Sequence, residues 1–305
     1  MVDIIIIGGG ISGSYLAYRL KQKNLKVLII EKSKGIGGRL CTKPVGENLV
    51  DYGCQYISPK SQTLVELLET LKKKGIVEKI NTNQKDIYIS PYGMNKVPQY
   101  LSLGTPCITN SLVESIMYKQ DCWTVNTQYS AFNSRFIVLT MPINQVQLLL
   151  KNSQKPYFNY ELPNVRYRDF FSATFEGERN NMKNVFDETV TLPWICNNTL
   201  KGLRNSNNIF TVNFSPKVSS IYQKLDSKER ILALRKLLKN NQFRKINHLS
   251  IHYWKYAYSS NQSNISHIFD KNINLGICGD SFSIGKVDGA IKSSDNIYHK
   301  ILSTI

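Results

Sequence analysis

Four consecutive isoleucines, Ile4 to Ile7, run directly into Gly8-Gly9-Gly10-Ile11-Ser12-Gly13. A second apolar run, Val27 to Ile30, then ends at Glu31. The order is a strand, a glycine turn, a helix, a second strand and an acid. A lone Gly-x-Gly-x-x-Gly says little. Here it follows a strand, opens a helix and is answered by an acid after roughly 20 residues, the pattern of a dinucleotide-binding β-α-β unit. Gly8 permits the tight turn, Gly10 lets a pyrophosphate approach the backbone, and Gly13 lets helix and strand pack closely. The amides of Ser12 and its neighbours at the helix start face the phosphates. Glu31 accepts hydrogen bonds from ribose hydroxyls, with Lys32 beside it.

A second glycine cluster narrows the dinucleotide. Lys32-Ser33-Lys34-Gly35-Ile36-Gly37-Gly38-Arg39 follows the acid directly. A simple NAD domain has no need of it. The double glycine and arginine resemble the glutathione-reductase type of flavoprotein in its amine-oxidase branch. There Gly38 and Arg39 run past the FAD pyrophosphate and flavin, and Arg39 supplies a planar cation for the phosphates. A third signal lies near the far end, Leu275-Gly276-Ile277-Cys278-Gly279-Asp280, then Gly285-Lys286-Val287-Asp288-Gly289-Ala290. In that superfamily the aspartate of a late Gly-Asp takes a ribityl hydroxyl. The next helix, here with Val287 and Ala290, points its positive end at the isoalloxazine and favours the reduced flavin. The same segment imitates a Walker loop. However, five residues separate Gly279 from Gly285 and Val287 replaces the required Ser or Thr, so ATP binding is rejected.

The chain of 305 residues is long enough for two intertwined domains. No apolar stretch approaches a membrane span, and the isoleucine run is too short for a signal peptide. Six scattered cysteines without metal spacing suit free thiols in a reducing, cytoplasmic setting. The net charge of +17 is spread among lysines rather than gathered in a block, which argues against a nucleic-acid partner and for solvated surface. His248 and His252 stand four apart, but Leu249 occupies the place of the metalloprotease glutamate and the surroundings read as a strand. No metal site is expected, and no Ser-His-Asp or Cys-His arrangement is evident.

Along the chain, residues 61–74 read as an amphipathic helix with Leu64, Leu67, Leu68 and Leu71 at helical spacing. Strands are read over 111–117, 122–126 and 136–140, a helix over 143–151, and another over 227–238. Residues 156–267 are otherwise irregular, with strand-like pieces at 167–175, 209–214 and 248–258. The closing strand and helix span about 273–303. The fold class expected is α/β: a Rossmann-like FAD-binding domain (1–57, 101–155 and 268–305) interleaved with a smaller α+β substrate domain (58–100 and 156–267).

The resemblance is narrowed by Asp51 to Pro59 after the arginine loop, Gly93-Met94-Asn95, Ile137 to Leu150, Trp194 to Asn198 with Lys201, Ser215-Pro216, and His252 to Ala257. Together with the FAD motifs these resemble the bacterial renalase-like flavoproteins nearly end to end. That resemblance implies a p-hydroxybenzoate-hydroxylase-like fold with non-covalent FAD. It also implies oxidation of isomeric dihydro-NAD(P), with molecular oxygen taking the electrons as hydrogen peroxide. It places the Val113 backbone at the adenine. Gln55, Tyr56, Trp194, Asn198, Trp254 and Tyr256 fall near the flavin or in the substrate cavity. The chain departs from the family at Gly202-Leu203, at Val218 and at Lys292 to Asp295. Gly202 and Val218 fall in the expected substrate wall. The alternatives are an FAD amine oxidase or desaturase acting on an apolar small molecule, and a flavin-bound module without catalysis. A dihydronicotinamide is already a hydride donor and needs positioning more than an acid or base.

Overall fold

The structure is a computed structural model describing residues 1–81, 86–153, 161–180, 182, 184–260, 263–282 and 286–305. Its centre is the strand Val2–Ile7, whose Ile4, Ile5 and Ile6 are fully buried. It lies parallel between Val27–Ile30 and Ala131–Leu139, and Leu275–Ile277 extends the parallel set. The full order is 268–270, 275–277, 131–139, 2–7, 27–30, 107–108, with the hairpin 113–119/122–127 attached antiparallel to 131–139. The strands are apolar on both faces because both are covered. Ile5, Ile7, Leu28 and Ile30 enter one core, and Ile4, Ile6, Val27 and Ile29 enter another. The second core is closed by Leu16 and Leu20 of helix Ile11–Lys21 and by Ile297 and Ile301 of helix Lys286–Leu302.

The region that reads as irregular in sequence is largely a five-stranded antiparallel sheet, ordered 186–187, 194–197, 209–213, 167–179, 243–259. One face buries Phe171, Phe175, Phe210, Val212 and Phe243 against Leu234 and Leu238 of helix Ser227–Asn240. Asp226 caps that helix through the amides of Lys228 and Glu229. The opposite face is polar. Residues directly opposite one another share a face, so Trp194, Asn213, Ser172 and His252 form one row across four strands. Apolar and polar residues therefore alternate along 171–175 and 210–213, the period by which these segments read as strand-like. His248 and His252 lie on strand Phe243–Ser259, where His248 adopts a positive φ of 51°.

A hairpin, Thr42–Val45 paired with Asn48–Asp51, leaves the first sheet and lies against the second, where its Val45 and Val50 pack on Ile209. Helix Gln62–Lys73 buries the four leucines its spacing predicts, and Ser61 caps it by accepting the Leu64 amide. No helix among the described residues is long and apolar enough to cross a membrane.

Candidate functional site

The strands Val2–Ile7, Val27–Ile30 and Leu275–Ile277 point the same way, and their C-terminal ends carry Gly8, Glu31 and Gly279. In open α/β sheets ligands bind beyond these ends. Gly8 takes φ 111°, and an added Cβ would press on Thr140 of the neighbouring strand end. A Cβ on Gly13 would collide with the Gly8 carbonyl oxygen and lie 3.0 Å from Ile6 Cγ2. Helix Ile11–Lys21 starts with no side-chain cap and no acid in its first turn. Its positive end is left available to an anion. The Ser12 hydroxyl does not face outward: it bonds the Ser294 hydroxyl at 2.5 Å in the buried seam with the C-terminal helix. Only its backbone amide is left for a phosphate.

Glu31 is buried and accepts the Gly9 amide at 2.7 Å and the Ser33 amide at 2.8 Å. Each carboxylate oxygen keeps a second acceptor site for a ribose hydroxyl. Lys32 is exposed and reaches Gln145 at 3.3 Å. The Ser111 amide donates to the Glu31 carbonyl at 3.0 Å, which brings the start of the Val113 strand close to Glu31. The second glycine cluster closes over the first, the Gly37 amide donating to the Gly9 carbonyl at 2.9 Å. Gly38 takes φ 57°, and its added Cβ would stand 3.0 Å from Gly10 Cα. The two glycine turns thus pack backbone against backbone, an approach that a side chain at Gly38 would prevent.

Arg39 and Asp280, 241 residues apart, form a two-pronged ion pair, with Nη1 to Oδ2 at 2.7 Å and Nη2 to Oδ1. Arg39 Nη1 also donates to the carbonyls of Tyr256 and Ala257, each at 3.3 Å. Arg39 therefore joins the Gly-Asp turn to the second sheet and leaves only part of its donor set for phosphates. Gly279 is steadied by donating its amide to Ser293 at 3.2 Å. Ser293 and Ser294, read as a departure from a small apolar face, are buried partners of the Gly279 amide and the Ser12 hydroxyl. Val287 and Ala290 pack beside Ile11 and Leu40. Gly285 lies outside the described residues.

The predicted cavity residues divide into two groups. Tyr56 and Trp194 pack together at 5.9 Å between ring centroids, and Phe186, not foreseen from sequence, joins both at 5.3 and 4.9 Å. At the other edge of the sheet Trp254 stacks on Tyr52 at 5.5 Å and donates to its carbonyl, and Tyr256 meets Tyr167 edge-on at 5.5 Å. Asn198 and Gln55 join neither group. Asn198 has no exposed surface; it donates to Thr211 at 2.9 Å and accepts from Lys201. Gln55 donates to the carbonyls of Asp51 and Gly53 at 2.6 and 3.1 Å. Their amides are turned inward because buried polar groups need partners, so both are linking residues and not cavity walls. Val218 is likewise displaced: it packs on the far face of the second sheet, against the core of Phe171 and Leu234. Gly202 takes φ 113° as the left-handed stop of helix Asn198–Lys201.

Burial sets the titration of this region. The Cys54 thiol is pushed up to about 11 and the Tyr167 phenol to about 12, each mainly by desolvation. His252 is held below its ordinary value, first by burial and then by Lys43 nearby. It is neutral at pH 7.

The fold and this geometry define a Rossmann-like α/β protein joined to a second antiparallel sheet. A sequence profile of the NAD(P)-binding Rossmann-like domain matches residues 6–71. The flavin-containing amine oxidase A of Sus scrofa is 34% identical over 85 residues, 28% of this chain and 16% of that relative. An uncharacterised protein of Acanthamoeba polyphaga mimivirus is 58% identical over 41 residues, 13% of this chain and 8% of that one. The matched part thus spans under a fifth of these curated relatives. Among solved structures, an Exiguobacterium sp. 255-15 protein assigned as a protoporphyrinogen oxidase superposes with a TM-score of 0.77 at 10% identity, covering 98% of both chains. Cyclohexylamine oxidase from Brevibacterium oxydans IH-35A gives 0.70 at 13% identity, covering 99% of both. The chain has the α/β fold of these oxidases from end to end.

Proposed function

We propose that this chain binds FAD non-covalently and acts as an oxidoreductase that takes a hydride from a small planar donor. The observation that carries this reading is the convergence of Gly8–Gly13, Glu31, Gly37–Arg39 and Gly279–Asp280 on the C-terminal ends of one set of parallel strands. The residues fit the group: an uncapped helix start for the pyrophosphate with two side-chain-free glycine turns beside it, Glu31 for the adenosine ribose, and Asp280 for a ribityl hydroxyl. Residues 1–57, 101–155 and 268–305 carry the nucleotide in this reading, and 58–100 with 156–267 face the substrate.

Bound flavin supplies the electron sink. The chain supplies aromatic walls, Tyr56 and Trp194 on one side and Trp254 and Tyr256 on the other, which orient a flat substrate and exclude water. We further infer a renalase-like substrate, an isomeric dihydro-NAD(P), with oxygen as acceptor. Two features support it. The row of Asn213, Ser172 and His252 sets polar groups beside the Trp194 wall, and Lys201, the buried ammonium of the region, is held in an ion pair with Asp51 and so is not poised as a base. Such a site suits a donor that needs only positioning. Amine oxidation is the second reading, favoured by the named amines of the structural relatives.

Anaerobic mixing with a panel of reduced dinucleotides and amines separates the two. The 2- and 6-dihydro isomers of NAD(P)H are expected to bleach a yellow protein far faster than 1,4-NADH or monoamines, and denaturation is expected to release intact FAD. Bleaching by amines alone would end the renalase-like reading. A colourless protein that cannot be reconstituted would end the flavin reading.

A further inference from the structure

Lys201 is a lysine with no exposed side chain in a chain of net charge +17. It ends the short helix Asn198–Lys201, which Asn197 caps and Gly202 stops. Its ammonium crosses from the second sheet's domain to Asp51 at the end of the hairpin, Nζ to Oδ2 at 2.7 Å. It also donates to Asn198 Oδ1 at 3.1 Å and to Gln55 Oε1 at 3.2 Å. Three acceptors use all three of its protons. Asp51 is equally enclosed: its other oxygen accepts the Met94 amide at 2.8 Å and the Thr42 hydroxyl at 2.6 Å. The Asp51 carbonyl accepts from Gln55 and from Thr211 of the second sheet.

We propose that Lys201 is a positioning residue for the flavin-facing segment 53–56. This rests on the function proposed above. The segment has two contacts that matter to that function. At one end the Cys54 amide donates to the Arg39 carbonyl at 2.8 Å, tying it to the second glycine cluster. At the other end the Tyr56 ring enters the aromatic group of Trp194 and Phe186. Gln55 stands between them. Its oxygen is held by Lys201 and its amide nitrogen by the carbonyls of Asp51 and Gly53, so its side chain has one orientation and the backbone on either side is fixed with it. A Cβ on Gly53 would collide with the Arg39 carbonyl oxygen, so the segment lies directly on the glycine cluster with no room to slide. A buried ion pair is a weak source of net stability, yet it can select one geometry because its partners tolerate no other. Here it sets the distance between the flavin-side backbone and the Tyr56 wall without touching the reacting atoms.

The test compares the wild-type holoprotein with Asp51→Asn/Lys201→Met, which removes both charges together, and with Gln55→Leu, which keeps the ion pair and cuts the link. Lys201→Met alone would leave Asp51 charged and unpaired and is expected to fold poorly. Measured are FAD content, the flavin absorption spectrum, and kcat and KM for a dihydronicotinamide donor. Both variants are expected to retain FAD, to shift the flavin bands, and to lose at least about tenfold in kcat with KM changed under about threefold, the mark of lost alignment. If the double variant does not fold, Gln55→Leu carries the test. Folded variants with wild-type spectrum and kcat would overturn the proposal and leave the function reading standing. A wild-type protein without flavin would sink the function reading, and this one with it.

Discussion

The Glu31 carboxylate holds the Gly9 amide at 2.7 Å across 22 residues of chain, so the acid that answers the glycine motif also fastens it. Glu31→Ala therefore removes two backbone hydrogen bonds, from Gly9 and Ser33, as well as the ribose acceptor. We expect a loss of about 1.5–3 kcal/mol in the stability of the apoprotein, since each buried amide loses a charged partner. FAD affinity is expected to fall by one to two powers of ten. Denaturant melts of apoprotein and titration with FAD measure the two effects separately. Unchanged apo stability would mean that the carboxylate serves the cofactor alone.

Asp280→Asn leaves the half-buried Arg39 guanidinium without its counter-charge. FAD binding is expected to weaken about ten- to a hundredfold, because one hydrogen bond to a charged group contributes about 1.5–3 kcal/mol. The strand carrying Tyr256 and Ala257 is expected to lose protection as well, since Arg39 bonds their carbonyls. Hydrogen exchange at residues 254–258 reads the second effect. Full protection in a variant that has lost FAD would separate Arg39 from the sheet.

Two glycines of the opening region make an internal comparison. Gly13→Ala would drive a Cβ into the Gly8 carbonyl and the Ile6 side chain, so a loss of about 1–3 kcal/mol or failure to fold is expected. Gly35→Ala meets nothing within 4 Å and is expected to stay within about 0.5 kcal/mol of the wild type. Thermal melts of the two variants are sufficient, and equal melting temperatures would refute the packing argument.

His252 and His267 are both held below their ordinary value, mainly by burial and next by Lys43 and Lys300 respectively. A depressed histidine stays neutral in the fold while the unfolded chain takes up the proton, so this contribution is present above about pH 6.5 and is lost as pH falls through the folded-state values. Stability is expected to drop between pH 7 and pH 5. His252→Asn should lessen that drop without abolishing it. Denaturation midpoints across this range decide the matter, and a variant with an unaltered pH slope would count against the assignment.

Much of this protein was legible in its residues. The apolar run into Gly8, the acid at Glu31, the leucines of 62–73 and the Gly-Asp at 279–280 are local patterns, and each encodes its own element because strand, turn and helix periods are properties of neighbouring residues. The antiparallel sheet of 167–259 was only partly legible. The segments 167–175 and 209–214 alternate, with Ser172, Thr174, Thr211 and Asn213 on one face and Phe171, Ala173, Phe175, Phe210 and Val212 on the other, whereas Trp194–Asn197 is too short to show a period. What covers the polar face depended on the hairpin 42–51 brought from another part of the chain, whose Asp51 carbonyl accepts from Thr211. The same holds for Lys201, which looks like any other lysine in a lysine-rich chain. Its partners Asp51 and Gln55 lie 150 and 146 residues away, a contact that no local pattern announces. Ser293, Ser294, Phe186 and the inward amides of Asn198 and Gln55 belong to the same kind. Local sequence chose the elements and the glycine turn of 8–13. Only packing of distant segments chose which polar side chains turn inward, because a buried donor or acceptor is satisfied by whatever the fold brings within about 3 Å of it.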